Sequence, residues 1–138
     1  MSTLEPLLLT VEEVKDFHAD QIRLFGGTAG VRDEGALESA VAVPQATFGG
    51  QYLHAVLHEM AAAYAFHIAE NQPFLDGNKR TALNAAISFL GLNGLLVLDP
   101  DGELYEAMLA ISRRDLDKAG LGVLLKTLAV PDAAEEET

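Results

Sequence analysis

The chain has 138 residues, enough for one domain with a single core, and its 49% apolar composition predicts a folded globule. It contains no cysteine, which excludes disulfides and thiolate metal sites. A net charge of −12, from 21 acidic and 9 basic residues, argues against nucleic acid or an anionic membrane as a partner. Met1-Ser2-Thr3-Leu4-Glu5-Pro6 lacks the basic and apolar regions of a signal peptide. No stretch approaches the roughly eighteen apolar residues of a membrane span, so a cytoplasmic protein is expected.

Ala and Leu outnumber β-branched residues, which favours helices. Thr10-Val11-Glu12-Glu13 reads as a capping box that opens a first helix. Val14, Phe17, Ile22 and Leu24 supply its apolar face, and Gly26-Gly27 ends it. After a loop over residues 28–32, Asp33 caps a second helix through Leu37 and Val41, stopped by Pro44. Residues 43–51 hold Pro44, Gly49 and Gly50 without a helical period and predict a loop or short hairpin. A long third helix is expected over residues 53–70, with Leu57, Met60, Ala61, Tyr64 and Ile68 inward.

Asn71 to Gly77 interrupts the helical pattern with a proline and a glycine. A fourth helix follows from Asn78 to about Asn93, with Leu83, Ala86, Ile87 and Leu90 inward and Gly94 as terminator. It is apolar nearly all round, which predicts the central helix of the domain. Residues 95–98 read as a short apolar link ending in the turn Asp99-Pro100-Asp101-Gly102. Helices over residues 103–112 and about 116–129 complete the pattern, the last weakened by Gly120 and Gly122. The expected organisation is one all-α domain over residues 1–130, a bundle of about six helices. An acidic, disordered tail is expected over residues 131–138.

The chemistry concentrates at Asp76-Gly77-Asn78-Lys79-Arg80-Thr81. Between Arg32 and Arg113 the only Lys or Arg residues are Lys79 and Arg80. Two cations at the start of a helix are unfavourable beside its positive dipole end unless an anion shares the site. With an anion present, the free first-turn N–H groups, both cations and the close-approach Gly77 form a phosphate cradle. Asp76 adds a hard oxygen suited to Mg²⁺, and Asn78 can cap the helix and still donate to a phosphate. The alternative is a plain turn and cap with two solvated cations.

Phe74, Asp76, Gly77, Asn78, Lys79 and Arg80 match the signature H-x-F-x-[DE]-[GA]-N-[GK]-R in order and spacing. Gly26-Gly27, Val31-Arg32-Asp33, Leu37-Glu38-Ser39-Ala40 and Pro44-Gln45-Ala46-Thr47-Phe48-Gly49-Gly50 extend the likeness. On these residues the chain resembles the Fic/Doc family, in particular its death-on-curing (Doc) toxins, from about residue 10 to about 128. The resemblance implies a Fic/Doc-type helical bundle with a flap before the third helix. It implies Phe74 as the loop anchor, Asp76 as the Mg²⁺ ligand, and Gly77, Asn78, Lys79 and Arg80 on the phosphates of ATP or another nucleoside triphosphate. Residues 43–51, with Gln45, Thr47, Phe48, Gly49 and Gly50, would clamp a target segment by strand addition.

In this family a glycine at the position of Lys79 accompanies AMP transfer. Lysine there accompanies phosphoryl transfer to a hydroxyl of elongation factor Tu, which inhibits translation. Lys79 therefore favours a kinase over an AMP transferase. The departure is Gln72, which stands where the signature has the histidine that takes the proton of the attacking hydroxyl. Three accounts fit it: orientation of the hydroxyl with late proton loss, a natural pseudo-enzyme that only binds, or a deliberate substitution that makes a toxin producible. The inhibitory string [ST]-x-x-x-E-[GN] of many relatives is absent, so a separate antitoxin is expected.

The remaining histidines read as structural. His67 reads as a packed helical residue and His18 as a surface or boundary one. His54 and His58, at i, i+4, suit a metal pair on one helical face, but no third ligand is spaced with them beyond the adjacent Glu59.

Overall fold

Thr10 opens helix α1 (Val11–Phe25) with a complete capping box: its hydroxyl accepts from Glu13 N, and the Glu13 carboxylate accepts from Thr10 N. Asp33 caps α2 (Glu34–Ala42) through Ala36 N. Residues 43–45 form a single 3₁₀ turn around the buried Pro44. A tight hairpin follows, β1 (Thr47–Phe48) paired antiparallel to β2 (Gln51–Tyr52), with Thr47 opposite Tyr52. Gly49 and Gly50 both have positive φ, as a two-residue hairpin turn requires. The order continues α3 (Leu57–Asn71), α4 (Asn78–Leu92), β3 (Leu95–Val97), α5 (Glu103–Ser112), α6 (Lys118–Leu128) and β4 (Ala129–Pro131). These coordinates come from a computed structural model that describes residues 5–132. The fold is mostly helical, with six helices among the described residues, none long and apolar enough to cross a membrane.

α3 is the hub. It packs most extensively on α4 and α6 and also meets α2 and α5. Met60 to Ala65 are buried without a break, and Ile68 with them. Small residues let the neighbours approach: Ala82, Ala85 and Ala86 of α4 are buried, and Gly122 of α6 is buried against Ala62 and His58. The larger core side chains are Tyr64, Phe74, Phe89, Met60, Ile68, Leu90 and Met108, each worth about 1.5–3 kcal/mol when removed from water. The Tyr64 hydroxyl accepts from Leu9 N, which ties the segment before α1 to the hub.

Several expectations change. α3, not α4, is the most enclosed helix; Ile87 of α4 is exposed, and so is Leu24 of α1. α3 begins at Leu57 rather than residue 53, because Leu53 N donates to Ala46 O and extends the hairpin. The apolar link at residues 95–98 is a strand, with Leu95 opposite Pro131 and Val97 opposite Ala129. The first positions of the expected tail are therefore held: Pro131 lies in β4 and Asp132 N donates to Gly94 O. The rest of that tail lies outside the described residues.

Candidate functional site

α3 stops at Gln72, whose backbone turns left-handed (φ 47°, ψ 57°). Pro73 enforces the stop, since proline disfavours α geometry in the residue before it and offers no N–H. A left-handed glutamine is uncommon, and the Arg32 side chain supports it. Its Nε donates to Gln72 O at 2.7 Å and one terminal nitrogen to Asn71 O at 2.9 Å. Arg32 N and Asp33 N both donate to Pro73 O, Leu75 N donates to Gly30 O, and Val31 bridges Phe74 antiparallel. Asn71 Nδ2 also reaches Ala36 O. The α1–α2 connection thus grips the α3–α4 loop along its length.

Phe74 is 1% exposed and lies flat on the His18 ring, centroids 3.9 Å apart and planes 5° apart. His18 is itself buried, not the surface or boundary residue expected, and its Nε2 lies 2.8 Å from Asp76 O. Asn78 folds back across the loop, accepting from Phe74 N and donating to Phe74 O, both at 3.0 Å. It does not cap α4. The N-cap is Gly77 (φ 74°), and no side chain caps the helix. The Asn78 amide staples the loop, so only its second N–H is open to a phosphate.

Asp76 is exposed, with Oδ1 accepting from Gly77 N at 3.0 Å and Oδ2 from Thr28 N at 3.2 Å. Gly27 (φ 116°) makes room for it: a Cβ there would stand 2.8 Å from Oδ2. Lys79 and Arg80 form no ion pair and no side-chain hydrogen bond among the described residues. The Arg80 guanidinium instead lies over two aromatic rings, 4.1 Å from the Phe25 centroid and 5.0 Å from that of Tyr105. Gln72, Asp76, Gly77, Asn78, Lys79, Arg80 and Tyr105 line one cleft of about 370 Å³. An uncapped helix start, two unpaired cations and a carboxylate in one cleft can hold an anion together with a divalent cation.

Other predicted positions lie apart. None of the flap residues Gln45, Thr47, Phe48, Gly49 and Gly50 lines this cleft. Gln45 donates to Val41 O, while the Phe48 ring is 83% exposed. His54 precedes α3, so it shares no helical face with His58, and the i, i+4 spacing marks no metal pair. Instead Lys118 Nζ sits 3.1 Å from both His54 Nε2 and His67 Nε2. Burial first, and the Lys118 charge second, lower both imidazoles, His67 to about 4. With its Nε2 accepting from Lys118, neutral His54 carries its proton on Nδ1, a buried atom with no hydrogen-bond partner among the described residues.

Sequence reasoning missed His18, Phe25 and Tyr105 as parts of the site, and saw Gly27 and Arg32 only as parts of family-like turns. Each stands more than twenty residues from the loop it serves, and no spacing rule links them.

The chain matches the model of the Fic/DOC family over residues 8–90. It is 44% identical over 95 residues to a protein named Toxin Doc from Mycolicibacterium smegmatis, covering 67% of this chain and 73% of the relative. It is 36% identical over 91 residues to a protein named Protein kinase doc from Escherichia phage P1, covering 66% and 71%. The chain therefore belongs to the Fic/DOC family, among its Doc-type toxins.

Proposed function

We propose that this protein is a Doc-type phosphotransferase that moves the γ-phosphoryl group of ATP to a hydroxyl of a translation factor, elongation factor Tu by family resemblance. The supporting observation is the pair Lys79 and Arg80, without an acidic partner among the described residues of a chain of net charge −12, and lining one cleft with Asp76. The kinase named among its relatives points the same way. Lys79 supports phosphoryl over AMP transfer, because its side chain fills the space that a glycine would leave there.

Asp76 suits Mg²⁺: the residue is exposed, and the single N–H group on each oxygen leaves lone pairs free. Asp76 would hold the Mg²⁺, whose positive charge would offset charge developing on the phosphates. The protein's own part is positional and electrostatic. The first-turn N–H groups of α4, Lys79 and Arg80 hold the phosphates, and Asn78 keeps the loop in the shape that aims them. Gln72 lines the same cleft and can donate or accept one hydrogen bond to orient the incoming hydroxyl. It cannot take the proton, and loss of a positioned base typically slows a reaction about 10²–10⁴-fold.

Gln72 thus favours a second reading, a member that binds nucleotide or partner with little turnover. In either case we assign the protein to the cytoplasm, with a small antitoxin protein as its neutralising partner and the exposed hairpin of residues 47–52 as the target clamp. The test is incubation of the protein and a Gln72→His variant with elongation factor Tu and ATP labelled separately at the α and γ positions. Transfer of γ label by both proteins is the expected result. Transfer by the histidine variant alone establishes the binding-only reading, and α label on the target makes the chain an AMP transferase. No label from either protein refutes the kinase.

A further inference from the structure

Arg80 is placed by two aromatic side chains brought from distant parts of the chain. Phe25 is the last residue of α1, and Tyr105 lies in the first turn of α5, beyond the residues that the family model matches. Both rings are exposed, 59% and 36%, so neither is there to fill the core. The guanidinium carbon lies over each of them. An aromatic face attracts a cation but offers no acceptor oxygen. An arginine held this way keeps its five N–H donors, whereas a carboxylate neighbour would occupy two of them. With 21 acidic residues in the chain, a carboxylate partner was available in composition, yet none meets Arg80 among the described residues.

We propose that Phe25 and Tyr105 are positioning residues that hold Arg80 with its donors open to a phosphate group in the cleft. This rests on the phosphate reading of the cleft and adds a determinant of its affinity. An unrestrained arginine on a helix surface would lose rotamer freedom on binding the anion. The aromatic pair removes much of that loss beforehand. The rings act on the phosphates through Arg80, so they discriminate by charge and not by the base.

Calorimetric titration with Mg²⁺ and either inorganic triphosphate or ATP tests this on the wild type, Phe25→Leu, Tyr105→Leu, Tyr105→Phe and Arg80→Ala. Each leucine variant should weaken both ligands equally, by about twofold to tenfold. Tyr105→Phe, which keeps the ring, should restore the affinity. In an Arg80→Ala background the leucine substitutions should have no further effect. A loss confined to ATP would make the rings a base platform, and a loss that persists without Arg80 would make them structural; either overturns the proposal. If Arg80→Ala itself leaves triphosphate binding unchanged, the phosphate reading of the cleft fails. The clamp is then tested separately, by ¹⁵N relaxation of Arg80 Nε without ligand. Order in the wild type that is lost in both leucine variants supports the clamp, and equal mobility in all three refutes it.

Discussion

Lys118 and the pair Lys79–Arg80 are cations in the same acidic chain, yet the fold treats them in opposite ways. The Lys118 ammonium lies between two imidazole nitrogens, 3.1 Å from each, where α6 packs on α3 and the segment before it. Two of its three N–H donors are used within the chain, and its field helps keep both histidines neutral. Lys79 and Arg80 have no such partners, and Arg80 leans only on aromatic rings. A cation satisfied internally is part of the packing. A cation left unsatisfied beside an uncapped helix start retains its attraction for a ligand.

The sharpest way to break this comparison is at the cleft. Asp76→Ala should abolish the Mg²⁺ dependence of ATP binding; unchanged titrations with and without the metal would refute the role given to that carboxylate. Lys79→Met should weaken ATP by about 1.5–3 kcal/mol, tenfold or more. It should leave the unfolding free energy within about 0.5 kcal/mol, since no ion pair or side-chain hydrogen bond among the described residues is lost. Denaturant unfolding beside calorimetry separates the two effects, and a large stability loss would count against an unpartnered cation.

The support of the cleft comes next. Gly27→Ala forces a side chain into a φ of 116° and against Asp76 Oδ2, and should destabilise the protein by about 1–3 kcal/mol. Arg32→Ala removes both side-chain donors from the left-handed turn at Gln72 and should destabilise by roughly 1–2 kcal/mol. Thermal unfolding checks both, and a neutral Arg32→Ala would mean that Pro73 and the backbone bonds around it hold the turn without the guanidinium.

The smallest effect belongs to the other cation. His67 titrates near 6.5 when unfolded and at about 4 in the fold, so the unfolded state binds the extra proton first. The stability from keeping it neutral is fully present above the unfolded value and is lost as the pH falls from 6.5 towards 4. Lys118→Met removes the second-ranked cause of the depression while burial remains. The folded value should rise part of the way, the acid-labile window should narrow, and ATP binding should be unaffected. A histidine NMR titration measures the midpoint; one that stays put would show that the Lys118 charge does not set it.

Local physics explains what could be read beforehand. The Thr10–Glu13 capping box, the Asp33 cap, the Gly26 stop and the inward face of α3 depend on residues within a turn of each other, and each formed where its signal stands. The Asp76 to Arg80 cluster was legible for the same reason: its members are neighbours in sequence, and helix-end electrostatics needs nothing further away. The start of α3 was not legible, because residues 53–56 have helical composition but a hairpin bond to Ala46 competes for Leu53 N.

The sequence by itself therefore determined the six helices, the Thr10 and Asp33 caps and the clustering of two cations at the start of α4. Only the tertiary structure decided how the loop before that helix is held and aimed. His18 under Phe74, Arg32 on the end of α3, Gly27 beside Asp76, and Phe25 with Tyr105 around Arg80 are contacts across long stretches of chain. The pairing of β3 with β4 is of the same kind. Such contacts follow from how α1, α4 and α5 pack, and no local spacing encodes that packing. The unpaired state of Lys79 and Arg80 belongs here too, since an arginine's partner is known only once its neighbours are in place.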